Sequence, residues 1–323
     1  MNDLTLKEVR IRAVNVPLKK PIIAHLGTFD SWPFLCLDLI TNQDIIGKSY
    51  IGPYLKEYLP AIASCIRVLS KNYVQRSINP YSFYQHSMKS LSLLGFKGIA
   101  LYGLAALDIA LWDAFAKAHK KPFVELFGGS VKCTIKAYNS SGLWLIEHNK
   151  LAKEAEILRK EGDFKALKLR IGRESYKQDI SAYNEVIKGA GSDIIVMSDY
   201  NQCFTTKEAI RRCHALDDAG FYWFEEPIQF NMLEDMKKIC KEIKTPITIG
   251  ENFHGPKDAQ DALLNNSCDM IMPDLMRIGG VSGWIKTASI AEAFNIEVSS
   301  HLYPEVSAHL MNITPTAHWL EWV

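Results

Sequence analysis

Apolar and polar side chains alternate over residues 9–17 and 34–40, the two-residue period of strands buried on one face. From about Tyr81 the period lengthens to that of helices. Across residues 99–117, Ala, Leu and Ile recur at helical spacing around Asp108 and Trp112, which predicts a buried amphipathic helix. Residues 1–131 therefore read as a unit of α+β type.

From Cys133 the texture changes to short apolar runs, each closing on a polar or charged residue and each followed by a helix-compatible stretch. The runs cover 134–139, 166–170, 194–199, 222–225, 247–251, 270–274, 297–301 and 318–321, giving eight predicted strands. Segments such as 176–190, 205–219 and 281–294 have helical composition, with Gly220 and Gly255 as punctuation. A parallel strand needs a crossover of a dozen or more residues. Eight units of nearly constant length favour a closed β/α barrel over residues 132–323, with an open doubly wound sheet as the alternative.

In such a barrel the reacting groups sit at the C-terminal ends of the strands. Here those ends carry Lys168 with Arg170, Asp199, Glu225, Glu251, Asp274, His301 and Glu321. Asp199, Glu225 and Glu251 end consecutive strands, and three converging carboxylates repel one another unless a cation lies between them. Oxygen ligands without Cys or His favour Mg2+ over zinc; three unrelated salt bridges are the plainer alternative. Asp274 and His301 end neighbouring strands. A carboxylate beside an imidazole fixes its tautomer and raises its basicity, as a general base near neutral pH requires, although a single histidine is more often structural. Lys168 and Arg170 alternate with Leu167 and Leu169, so both cations face one way. Inside a barrel they need an anion, either a substrate carboxylate or the nearby acids. The glycines of Arg277-Ile-Gly-Gly-Val-Ser-Gly283 lack both the Gly-Lys-Ser/Thr ending of a phosphate loop and the dinucleotide spacing, so they read as a packing turn.

Composition narrows the partners. The 323 residues are 48% hydrophobic and 23% charged, with a formal net charge of +1. That balance points to a small substrate, which the two strand-end cations would make a carboxylate, and to neither nucleic acid nor a membrane surface. Seven scattered cysteines without a CxxC pair give no disulfide framework and no thiolate zinc site, and a cytoplasmic location is expected. Residues 1–8 lack the basic-then-apolar pattern of a leader, and no stretch reads as a membrane span. Trp144 and Tyr303 read as exposed aromatics, from which a homo-oligomer is expected.

Several ordered motifs, Met197-Ser-Asp-Tyr-Asn-Gln202, Phe224-Glu-Glu-Pro227, Gly250-Glu-Asn252, Met272-Pro-Asp274 through Gly283-Trp284, and Ser299-Ser-His-Leu302, resemble the mandelate racemase subgroup of the enolase superfamily. The likeness continues through Ser307-Ala-His-Leu310 and Pro315-Thr-Ala-His-Trp-Leu-Glu321, and in the first part through Val14-Asn-Val-Pro17 and Ala105-Ala-Leu-Asp108. It implies an α+β capping domain over a modified TIM-type (β/α) barrel, and Mg2+ held by Asp199, Glu225 and Glu251. It further implies an acid/base dyad of Asp274 and His301, Lys168 and Ser140 on the substrate, and Glu321 donating a hydrogen bond to an enediolate. A His or Lys base working with magnesium is the known arrangement of that superfamily.

Two departures stand out. Lys168-Leu-Arg170 replaces the usual Lys-x-Lys, whose second lysine is the base opposite the histidine; arginine stays protonated and is a poor proton acceptor. The sequence also ends just after the eighth strand, where relatives continue into a segment that packs back on the cap. Glu321 is then nearly terminal, and a chain end frays unless tied down. The resulting order of readings is magnesium-dependent dehydration of a sugar acid, then racemisation or epimerisation of a 2-hydroxy acid, then a metal-binding relic without turnover.

Overall fold

β1 (Leu6–Ala24), β2 (Gly27–Thr41) and β3 (Ile46–Ile51) form an antiparallel meander in a computed structural model that describes residues 4–323. The first three residues of the start read above for a leader lie outside the described residues. The β1–β2 ladder breaks register between Pro17 and Ile22, where Pro17 and Pro21 have no amide hydrogen to donate. Beyond the break the tip of this hairpin reaches the barrel, with Leu145 N–H donating to Ile23 O at 3.0 Å.

Helices α1 (Leu59–Lys71), α2 (Pro80–Ser90) and α3 (Ile99–Ala118) complete the cap. Helical structure thus begins well before Tyr81, because Leu59, Ile62, Ala63, Ile66 and Leu69 bury one face of α1. Helix α3 is not amphipathic. It is buried nearly all round, packed on β2 and β3 on one side and on a barrel helix on the other. Gly47 on β3 permits this approach, since a Cβ there would stand 2.0 Å from Ala110 O. The 20 residues of α3 are long and apolar enough to cross a membrane, which corrects the expectation that no stretch has that character; 72% of that window is buried inside the protein, as in a core helix.

The barrel follows as β4 (Ala137–Asn139), α4 (His148–Glu161), β5 (Ala166–Arg170), α5 (Tyr176–Ala190), β6 (Ile195–Asp199), α6 (Thr206–Leu216), β7 (Phe224–Glu225) and α7 (Leu233–Glu242). It continues with β8 (Ile247–Ile249), α8 (Pro256–Asn265), β9 (Met270–Ile271), α9 (Gly280–Ala293), β10 (Glu297–Val298), α10 (Pro304–Asn312) and β11 (Leu320–Trp322). All eight predicted strands are present, mostly trimmed at their ends. The sheet runs parallel in the order β10-β9-β8-β7-β6-β5-β4-β11. Its two edges meet through Val298 N–H to Thr316 O at 2.9 Å and Ser300 N–H to Trp319 O at 2.9 Å, so the barrel closes and the doubly wound alternative is set aside. Tyr138, Met197, Trp223, Met272 and Trp319 fill its interior.

Cap and barrel are joined at Asp108 of α3. Its carboxylate accepts hydrogen bonds from Ser282 N–H at 2.9 Å and Ser282 Oγ at 2.6 Å, at the start of α9. Trp112 Nε1–H donates to the same hydroxyl at 3.0 Å. Gly280, at φ 76°, makes room, because a Cβ there would lie 2.7 Å from Asp108 Oδ2. The glycine segment is therefore a packing turn, as expected.

The aromatics that motivated self-association are internal. Tyr303 is only 4% exposed, its hydroxyl accepting from Gly52 N–H at 3.0 Å, and the half-buried Trp144 covers an arginine.

Candidate active site

Strand alternation and closure bring Asp199, Glu225 and Glu251 together at the C-terminal mouth, where one oxygen from each lies within 4.8 Å of the others. Asp199 is held by Asn201, which donates from its backbone N–H and from Nδ2, both at 2.7 Å. Burial, with Asp199 beside it, pushes Glu225 well above the ordinary carboxylate value, and burial also raises Asp199. Burial acts on Glu251 in the same direction, but His301 and Arg277 override it and hold that group well below its usual value. A dication suits this set, since it would favour the ionised form of all three. Two further buried acceptors nearby, Asn201 Oδ1 and Glu226 Oε1, have no protein partner, as expected where waters complete a magnesium shell.

Lys168 is 1% exposed and stands among the acids, with Nζ 2.7 Å from Glu321 Oε1, 3.1 Å from Glu225 Oε2 and 3.9 Å from Asp199 Oδ2. Burial opposes its charge, but Glu225 and Glu321 outweigh that and raise its pKa. Glu321 does not fray. It lies on β11 paired with β4, is 1% exposed, and accepts from Leu302 N–H at 2.8 Å. Against the effect of burial, Lys168 lowers its pKa to about 2. In this arrangement Glu321 accepts from Lys168 and from Leu302 N–H.

Arg170 is held differently from a base. Its NH1 donates to Ser140 O at 2.9 Å and Gly142 O at 3.1 Å, and its NH2 donates to Ser140 Oγ at 2.8 Å. The guanidinium carbon lies 3.8 Å from the centroid of the Trp144 ring. Ser140, expected to face the substrate, is fully buried and has its hydroxyl engaged by Arg170.

Across the mouth, His301 Nδ1 is 2.8 Å from Asp274 Oδ2 and Nε2 is 3.2 Å from Glu251 Oε2. Asp274 Oδ1 accepts from Arg277 N–H at 2.9 Å. Burial works against a charged imidazole here, yet Glu251 chiefly, with Tyr54, Glu321 and Asp274, raises the pKa of His301 well above its usual value. Two participants escaped the sequence reading. Arg277 donates to Glu251 O at 2.8 Å and lies 4.9 Å from the ring centroid of Tyr54. Tyr54 comes from the cap, packs tilted against Trp32 with ring centroids 4.6 Å apart, and has its pKa raised to about 12 by burial.

Residues 150–323 match the family described as enolase C-terminal domain-like, and residues 6–128 match the mandelate racemase / muconate lactonizing enzyme N-terminal domain. The chain belongs to the mandelate racemase / muconate lactonizing enzyme family of the enolase superfamily. Among solved members of this family, an enolase from alpha proteobacterium bal199 with bound magnesium is 39% identical, with a TM-score of 0.96 over 99% of this chain and 88% of that one. A Bradyrhizobium enolase complexed with magnesium and mandelic acid is 32% identical, with a TM-score of 0.95 over 100% of this chain and 89% of that one. L-talarate/galactarate dehydratase of Salmonella typhimurium is 28% identical over 71% of this chain, and the match spans 57% of the dehydratase's length. Other curated relatives are named as epimerases and cycloisomerases. Structural relatives thus hold magnesium, and this chain supplies the acidic triad that could bind it.

Proposed function

We propose that this chain is a magnesium-dependent lyase that dehydrates a sugar acid or other 2,3-dihydroxy acid with a single base, His301. The observation that carries this reading is Arg170, which occupies the position of the family's second base. A guanidinium is a poor proton acceptor, and this one is bonded to two carbonyls and a hydroxyl. Racemisation needs a proton acceptor on each face of the carbon, whereas elimination needs one base and a leaving group.

Asp199, Glu225 and Glu251 would hold Mg2+, whose positive charge would lower the cost of the negative charge that develops as the α-proton leaves. The chain's own groups do the rest. Asp274 holds His301 Nδ1 and fixes the tautomer, leaving Nε2 to take the α-proton once Glu251 is engaged elsewhere. Lys168, released from Glu225 in the same way, pairs with the substrate carboxylate, and Glu321 keeps its ammonium oriented. His301 then returns its proton to the β-hydroxyl, which departs as water with the electron pair of the C–O bond. The enol left behind tautomerises to a 2-keto-3-deoxy acid.

A second reading, reversible inversion of a 2-hydroxy acid, draws on the relative complexed with mandelic acid. The two separate experimentally. Incubation with magnesium and a panel of sugar acids, followed by NMR, is expected to yield a 2-keto-3-deoxy product from at least one of them. Folded, magnesium-binding protein that eliminates water from no polyhydroxy acid would sink the lyase reading.

A further inference from the structure

The side of the mouth across from His301 is tied together by hydrogen bonds from two arginines. Besides its bonds to Ser140 and Gly142, Arg170 lies under the Trp144 indole, a contact that favours a planar cation. Arg173 reinforces the same loop, with NH1 donating to Arg170 O at 2.8 Å and NH2 to Ile146 O at 3.3 Å. Leu143 N–H donates to Glu154 Oε2 at 3.0 Å. This held loop is also where the cap hairpin lands. Leu145 N–H donates to Ile23 O at 3.0 Å, and Lys20 Nζ reaches Glu154 Oε1 at 2.8 Å. His25 Nε2 lies 3.3 Å from Ile171 O, next to Arg170 in the chain. Two of these three cap contacts run to the 140–146 loop or to the carboxylate that holds it.

We propose that Arg170 is a positioning residue that fixes the 140–146 loop, and through it docks the tip of the β1–β2 hairpin over the mouth. The arginine in the second-base position thus exchanges a proton acceptor for a structural tie. A lysine there has one nitrogen, and it can neither span Ser140 O, Gly142 O and Ser140 Oγ with fixed geometry nor stack as a plane on Trp144. The inference rests on the reading of Arg170 as no base, but its test needs neither substrate nor metal, so its failure and that of the lyase proposal are separable.

Amide hydrogen exchange of wild type, Arg170→Lys and Arg170→Met reads the tie directly. Both variants are expected to exchange roughly tenfold faster in residues 140–146 and in residues 20–26, the change that loss of about one net hydrogen bond brings, while β6 to β8 keep their protection. A lysine variant with wild-type protection would overturn the proposal, since positive charge alone would then suffice. Loosening confined to 140–146 would overturn it too, since the tie would end at the loop. Should both variants fail to fold, Trp144→Leu keeps the arginine's hydrogen bonds and removes only the stack. It is expected to loosen the same two segments by a smaller factor, and unchanged exchange there would count against the tie. A fluorescence difference between wild type and Arg170→Met is also expected to vanish in a Trp144→Phe background; its persistence would show that the stack is not what changes.

Discussion

Asp108 lets the attachment of cap to barrel be titrated. Its fully buried carboxyl accepts two hydrogen bonds from Ser282. Burial raises its pKa from 3.8 to about 7, against the lowering effect of those bonds. A carboxyl whose pKa is higher folded than unfolded binds more protons in the folded state between about pH 4 and pH 7. Its contribution to stability is therefore complete below about pH 4 and is lost as the pH rises to about 7. A shift of about 3 units at about 1.4 kcal/mol each makes the whole loss about 4 kcal/mol, of which roughly 3 falls between about pH 5 and pH 8. Asp108→Asn keeps the shape and one acceptor oxygen but cannot ionise. Urea unfolding of metal-free wild type and variant at about pH 5 and about pH 8 isolates this group, because every other titration is shared. The stability difference should move in the variant's favour by roughly 3 kcal/mol at the higher pH. A difference that is the same at both values would mean that Asp108 stays ionised in the folded protein, held by the amides at the start of α9, and would refute the reasoning.

Three further outcomes follow from the site and its supports. Magnesium at a hundredfold excess over its Kd should stabilise the wild type by about 2.7 kcal/mol; in Asp199→Asn and Glu251→Gln a thermal-shift titration should show most of that gain gone. Lys168→Met leaves Glu225 and Glu321 buried without their cation and should cost about 3–5 kcal/mol without metal. Added magnesium should recover part of it in denaturant melts, and equal losses with and without the ion would contradict the proposed neutralisation. Gly280→Ala places a Cβ 2.7 Å from Asp108 Oδ2 at φ 76° and should cost about 1–3 kcal/mol, read as a lowered urea midpoint.

The barrel was legible because its strands are short apolar runs that stop at a polar residue, and closure converts those stops into one site. That is why Asp199, Glu225, Glu251, Asp274, Lys168 and His301 could be placed together from spacing alone. Arg277 and Tyr54 could not. Arg277 reaches back from late in the β9–α9 turn to Glu251 on another strand end, and Tyr54 arrives from the cap at a positive φ of 63°, so neither carries a periodic signal. The character of α3 was misread for a related reason. A helix packed on two sides has no polar stripe to give it away, and only the neighbours on both faces distinguish a core helix from an amphipathic one. Position 170 was half legible. The sequence shows an arginine where the resemblance leads one to expect a second lysine, but the bonds that its guanidinium makes come from a loop about thirty residues earlier.

The central claim is that one base, on one face, removes an α-proton. NMR in deuterated buffer with magnesium, over a panel of 2-hydroxy and polyhydroxy acids, tests it most directly when wild type is compared with His301→Asn. α-Deuterium or elimination product is expected from one configuration of an acid only, dependent on both the metal and His301. Deuterium appearing in both enantiomers, or exchange that survives loss of His301, would contradict it.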